Sequence, residues 1–143
     1  MRLESLARRL EKRFCTLGKR LVPDPIRAWW TDEAGCLAAA LDQHRERARQ
    51  FYCSAQEARS RLAENEAREA ILASHVETYI HTGEQARAYQ LALDLDRVRT
   101  QLAEDRARIP IEENAWRMHR QRVAELERKL ADVERSFRPW AVV

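Results

Sequence analysis

The chain has 143 residues, a length that fits one domain, and 34% of them are charged. Three glycines and four prolines leave little material for turns, while Ala, Glu, Arg, Leu and Gln dominate. All five favour helix, so the composition speaks for an all-α fold and against sheets. The net charge of +3 is unevenly placed. Residues 1–21 hold seven basic side chains against two acidic ones, so the basic character belongs to one short segment.

Cys15, Cys36 and Cys53 are odd in number and lack metal-like spacing, which points to a reducing compartment rather than a disulfide framework. The longest apolar run, residues 36–41, is far too short to span a bilayer. The N-terminus lacks the uninterrupted apolar core of a signal peptide. The soluble side of the cytoplasm is therefore the expected location.

The first predicted element covers residues 1–22. Leu3, Leu6, Leu10, Phe14, Leu17 and Leu21 fall within an arc of about 60–80° on a helix, and every basic residue lies outside that arc. Arg9, Arg13 and Arg20 flank the stripe with Arg2, and Lys12 and Lys19 complete the basic face with Arg8. This is the profile of a helix lying in a membrane interface, its cations matched to anionic head groups. Packing of the leucines against a neighbouring helix is the plainer alternative. The small basic face, without interleaved aromatics, argues against nucleic acid as a partner.

Val22-Pro23-Asp24-Pro25 ends this helix and makes it a hinged appendage. Pro23 disfavours helix at Val22, and Pro25 suits the first turn of the next helix with Asp24 as its cap. Trp29 and Trp30 follow; as neighbours they cannot both face one seam. Beyond Gly35, which weakens the helix start, a heptad pattern runs through Leu37, Leu41, His44, Ala48, Phe51, Ala55, Ala58, Leu62, Asn65, Glu69, Leu72, Val76 and Tyr79. The charged stretch 56–70 reads as a solvated face.

Gly83 is the only glycine after Gly35, and it sits between two long helical patterns. It marks the reversal, near residues 81–84, with Thr82 or Gly83 beginning the next helix. On the returning helix Leu95, Leu102, Ile109, Trp116, Val123, Leu130 and Phe137 recur every seventh residue. Between them fall Val98, Asp105, Glu112, His119, Leu126 and Val133, so three successive intervening positions are polar. The expected architecture is a long antiparallel two-helix coiled-coil hairpin over residues 23–138, followed by a short apolar tail at 139–143. In this pairing residues whose numbers add to about 167 face each other, which sets Phe51 against Trp116, Leu41 against Leu126, and Leu72 against Leu95. Pro110 lies inside the second pattern without disturbing its phase, which predicts a kink rather than a loop.

The tip segment Gly83-Glu84-Gln85-Ala86-Arg87-Ala88-Tyr89-Gln90-Leu91-Ala92-Leu93 resembles the "G-x-x-x-L-A-R-x-A-L" segment of the phage-shock protein A and thylakoid vesicle-inducing family. Trp116-Arg117-Met118 and Val123-Ala124-Glu125-Leu126-Glu127-Arg128-Lys129-Leu130 are similar to that family's "L-x-x-M-x-x-x-I-x-E-L-E-x-K-L". The order of parts fits as well: amphipathic helix, a linker at Asp24-Pro25, then the hairpin. The resemblance implies a bacterial ESCRT-III-like protein that binds stressed anionic membranes and assembles into rings or rods. On it, Leu6, Leu10, Phe14 and Leu17 insert while Arg9, Lys12, Arg13 and Lys19 contact lipid phosphates. It also implies a shortened form lacking the family's further C-terminal helices, peripheral on the inner face of the cell membrane, with roles in membrane remodelling and the envelope stress response.

Enzymatic constellations are not legible. His44, His75, His81 and His119 show no H-x-x-x-H or H-E-x-x-H spacing, and no glycine-rich phosphate loop is present. No metal or cofactor is expected. His44 and His119 read as polar seam residues that tune register or respond to pH. Two other binding roles compete with the membrane scaffold: a soluble hairpin adaptor of the flagellar-type secretion kind, which binds a protein partner, and a regulator that sequesters a transcription activator.

Overall fold

The computed structural model describes residues 24–137. They form two helices, α1 (Asp24–His81, 58 residues) and α2 (Gln85–Phe137, 53 residues), packed against each other as a helical hairpin. Residues 1–22 and 139–143, where the sequence places the membrane-facing helix and the apolar tail, lie outside the described residues, as does Pro23 of the linker.

α1 passes through Gly35 and α2 passes through Pro110 without a break. Pro110 is exposed. It has no N–H for the carbonyl of Arg106 one turn back, and on a solvated face water can take that carbonyl.

The reversal is built from backbone bonds. Gly83 N–H donates to the Ile80 carbonyl at 3.2 Å, and Glu84 N–H donates to the Tyr79 carbonyl at 2.9 Å. These two closing bonds satisfy carbonyls that the end of α1 leaves without partners, and they require a left-handed residue just past the helix. Gly83 supplies it with φ +76°. The sequence reading allowed Thr82 or Gly83 to open the second helix. Glu84 does so instead: its carbonyl accepts the first bond of α2, from Ala88 N–H at 3.0 Å. Its carboxylate sits at the positive end of the α2 dipole and pairs with Arg87 at 3.1 Å. The Arg87 guanidinium also lies 5.8 Å from the Tyr79 ring centroid.

The described chain divides into two compact units. One is Gln50–Trp116, which contains the tip. Its core is Leu72, Leu95, Val98 and the fully buried Leu102, with Leu62, Ala73 and Leu91 packed on it. Leu72 and Leu95, placed opposite each other by the sequence register, share this cluster. Burying each such leucine contributes roughly 1.5–3 kcal/mol, so the cluster dominates this end energetically. Ala55, Ala58 and Ile109 are also buried, Phe51 and Trp116 are half-buried, and the Trp116 ring meets Tyr52 at 5.5 Å.

The other unit joins the described residues up to Arg49 to those from Arg117 onward. Trp30, Ala34, Ala38, Leu41 and Ala48 are buried on α1, and Leu126 and Leu130 on α2, with Val123 half-buried. The adjacent tryptophans separate as helix geometry demands: Trp30 is in the core and Trp29 is exposed.

Gly83 has open space where a Cβ would stand, so substitution there meets only the backbone cost of a left-handed residue. Gly83→Ala should lower unfolding stability by about 1–2 kcal/mol in urea titrations. Gly35→Ala, in mid-helix with free space, should instead raise it by up to about 1 kcal/mol.

Candidate functional site: polar layers in the seam and apolar side chains outside it

Every seam position named from the sequence, up to Val133 on α2, is buried or half-buried. Where those positions are polar they form layers, each with its own chemistry. Asp105 and Glu112 are the buried charged residues, 4% and 8% exposed. An unpaired carboxylate at such depth would carry a large desolvation cost, so partners are required.

Asp105 receives a forked pair from Arg61: Nη2 donates to Oδ1 at 2.9 Å and Nε to Oδ2 at 3.4 Å. That hydrogen bond holds the Asp105 carboxyl below its ordinary range against the opposing effect of burial, and it raises Arg61 in turn. Two turns further, Glu112 Oε1 accepts from Ser54 Oγ at 2.9 Å and from Arg108 Nε at 2.6 Å. Arg108 Nη2 closes the triangle onto Ser54 Oγ at 3.3 Å, while Glu112 Oε2 is buried without a hydrogen-bond partner. In the sequence Asp105 and Glu112 are two of the three successive polar intervening positions. They face the opposite helix and Arg108 within the hairpin.

The charged stretch 56–70 is largely exposed, as expected of a solvated face, and some of its side chains also pair across the hairpin. Arg59 pairs with Glu113, Arg61 with Asp105, Glu66 with Arg106 at 3.2 Å, and Glu69 with Arg99 at 2.8 Å. These residues tie the two helices together from the edges of the seam.

In the other unit His44 and His119 meet Nδ1 to Nδ1 at 2.9 Å, with ring centroids 5.1 Å apart. One ring must donate and the other accept, so the contact exists only while at least one imidazole is neutral. Burial, then His119, Arg122 and Arg47, push His44 down. Beside the pair, Arg45 bonds Glu127 at 2.7 Å.

Among the described residues no three His, Cys, Asp or Glu side chains gather to hold a metal ion. Ser54 is hydrogen-bonded to the Glu112 carboxylate and to the Arg108 guanidinium. Cys36 and Cys53 are exposed thiols.

Of the sequence-predicted site residues, the seam set from Leu41 to Leu130 lines the two units, and Thr82, Gly83, Glu84 and Arg87 gather at the reversal. Leu3 through Leu21 and their flanking cations lie outside the described residues. The sequence reading missed Arg61, Ser54 and Arg108; the signal available for them was a buried acid on the facing helix. It also missed a set of large apolar side chains left in water, among them Ile71, Ile80, Tyr89 and Leu93 near the tip. No helix among the described residues is long and apolar enough to cross a membrane. Comparison with known protein families, curated proteins and solved structures gave no match.

Two predictions follow from the layers. Asp105→Ala should lower unfolding stability by roughly 1–3 kcal/mol in urea titrations, whereas Asp105→Leu should recover most of it, because Arg61 can turn to solvent and the seam gains an apolar residue. For the histidine layer, His44 is depressed in the folded state, so the unfolded chain binds the proton more readily. Stability from this pair is present above the unfolded value of 6.5 and is lost as pH falls below it towards the folded value. Melting scans between pH 7.5 and 5.5 should show this fall in the wild type and lose most of it in His44→Gln.

Proposed function

We propose that the chain is a non-enzymatic, helical-hairpin scaffold of the phage-shock, ESCRT-III-like kind. On this reading residues 1–22 lie on an anionic membrane surface, with Leu3, Leu6, Leu10, Phe14, Leu17 and Leu21 inserted. Arg9, Lys12, Arg13, Lys19 and Arg20 contact head groups, and Pro23 and Pro25 provide the hinge. The hairpin, taken as an antiparallel coiled coil, supplies the surface through which copies assemble. Avidity among assembled copies strengthens a foot that is weak alone. The role is support or remodelling of the membrane under envelope stress, on its inner face.

The observation that carries this reading is a mismatch between the filled seam and the surface. The polar layers and ion pairs draw their partners from within the hairpin, yet large apolar side chains such as Ile80 and Tyr89 remain outside it. A two-helix hairpin has no second layer to cover them, so binding is the natural use of the surface. The sequence resemblance at Gly83–Leu93 and Val123–Leu130 adds the family.

A second reading, a soluble hairpin adaptor that binds a protein partner, is favoured by one observation. The cross-helix pairs Arg61–Asp105, Glu66–Arg106 and Glu69–Arg99 let the hairpin hold together without lipid.

Co-sedimentation with anionic vesicles separates the two. The scaffold reading expects the wild type to pellet with vesicles and Leu10→Asp to remain in the supernatant with unchanged helicity by circular dichroism. Wild-type protein that ignores vesicles yet binds a secretion-type ATPase ring would establish the adaptor instead.

A further inference from the structure

The cross-helix pairs on one flank of the tip unit follow a strict register. Arg59 meets Glu113, and Glu66 meets Arg106 at 3.2 Å, so a step of seven forward on α1 is a step of seven back on α2. The next steps of that register pair Ala73 with Arg99, and then Ile80 with Ala92. Arg99 turns to Glu69 instead, at 2.8 Å. At the last step before the reversal the flank has therefore changed from charged to apolar.

Ile80 is 61% exposed there, and Tyr89 and Leu93, one turn apart on α2, are 64% and 40% exposed, with Ala73 and Ala92 half-buried on the same flank. Two carboxylates share this side of the helices, Glu77 three residues before Ile80 and Asp96 three residues after Leu93. Residues 73–96 hold Glu77, Glu84, Asp94 and Asp96 against Arg87 alone. Glu84 is paired with Arg87, and Asp94 with Arg97. Among the described residues no ion pair takes Glu77 or Asp96.

An acidic, apolar flank calls for a basic, apolar occupant, and this chain encodes one. Residues 3–21 combine a stripe of five leucines and Phe14 with six cations just outside it. α1 places 58 helical residues between that segment and the tip, more than a helical segment of its length can retrace. We propose that residues 3–21 of one copy dock on the Ile80–Tyr89–Leu93 flank of a second copy, with Glu77 and Asp96 receiving arginine and lysine side chains at the rim. The contact makes a head-to-tail association that needs no lipid, and it goes beyond the membrane reading because it gives the same segment a protein partner. Being apolar at the centre and ionic at the rim, it weakens as salt rises.

The test uses the full-length chain without lipid. Sedimentation velocity should show self-association that falls at least about tenfold in affinity for the double variant Ile80→Glu, Tyr89→Glu, with helicity retained since both positions are exposed. Position specificity comes from cross-linking through the native Cys15. In a Cys36→Ser, Cys53→Ser background, Tyr89→Cys should give strong bis-maleimide cross-links between isotopically distinct copies. Ile71→Cys, nine residues before Ile80 and so on the opposite side of α1, should give little. The tip double variant should still pellet with anionic vesicles, which separates this inference from the membrane reading. A monomeric wild type, equal cross-linking at the two positions, cross-links confined to one copy, or undiminished association in the double variant would each overturn it.

Discussion

A hairpin of two helices has one seam, and that single constraint governs the rest of the molecule. Each helix can bury only the stripe that faces its partner, so all apolar stabilisation comes from one line of side chains per helix. Leu72, Leu95, Val98 and Leu102 concentrate it near the reversal, and Leu41, Leu126 and Leu130 do so in the other unit. Between these lie positions at which burial is used for polar groups, although apolar ones would contribute more stability. A uniform apolar stripe permits slips by a heptad at small cost; a buried carboxylate that needs one particular arginine does not. Asp105 with Arg61, and Glu112 with Ser54 and Arg108, thus act as register pins. That role is consistent with their geometry, since each acid takes a partner from the facing helix.

The fold was largely legible in the sequence because its two strongest signals are independent of tertiary context. Heptad spacing names the seam through a period, and a lone glycine between two such periods names the reversal. Gly83, with φ +76° and the two closing bonds, is where that glycine signal comes from. The partners of the polar layers were not legible, for a physical reason. Arg61, Ser54 and Arg108 stand beside the seam rather than on it, and a period assigns such positions to solvent. Long arginine stems nevertheless lie along apolar surface and bring their charge back to the edge of the core. A reading that asks what each buried acid requires, instead of where each residue points, recovers them.

The surface was the least legible part. Periodicity marks Ile80, Tyr89 and Leu93 as outward positions but says nothing of whether apolar side chains there are scattered or gathered. The ion-pair register decides it. Once Arg59–Glu113 and Glu66–Arg106 fix the step along one flank, the replacement of charge by Ile80 and Ala92 near the tip becomes a local change in surface chemistry. Single exposed hydrophobes need no explanation, whereas a cluster of them on one flank does.

If the segment 3–21 serves both a membrane and the tip of another copy, the two bindings are linked by one equilibrium. A stripe buried in lipid is not available to a neighbour, so each ligand reduces the apparent affinity for the other by the same factor. Anionic membrane then dissolves head-to-tail chains, and the released tips are left open on the lipid surface for lateral contacts. Raising salt weakens both contacts, because the same arginines and lysines face phosphate in one state and carboxylate in the other. On that proposal the uneven charge of the chain has a function that its small net value conceals: the basic segment and the acidic tip act as complementary surfaces, and lipid competes with the tip for the basic segment.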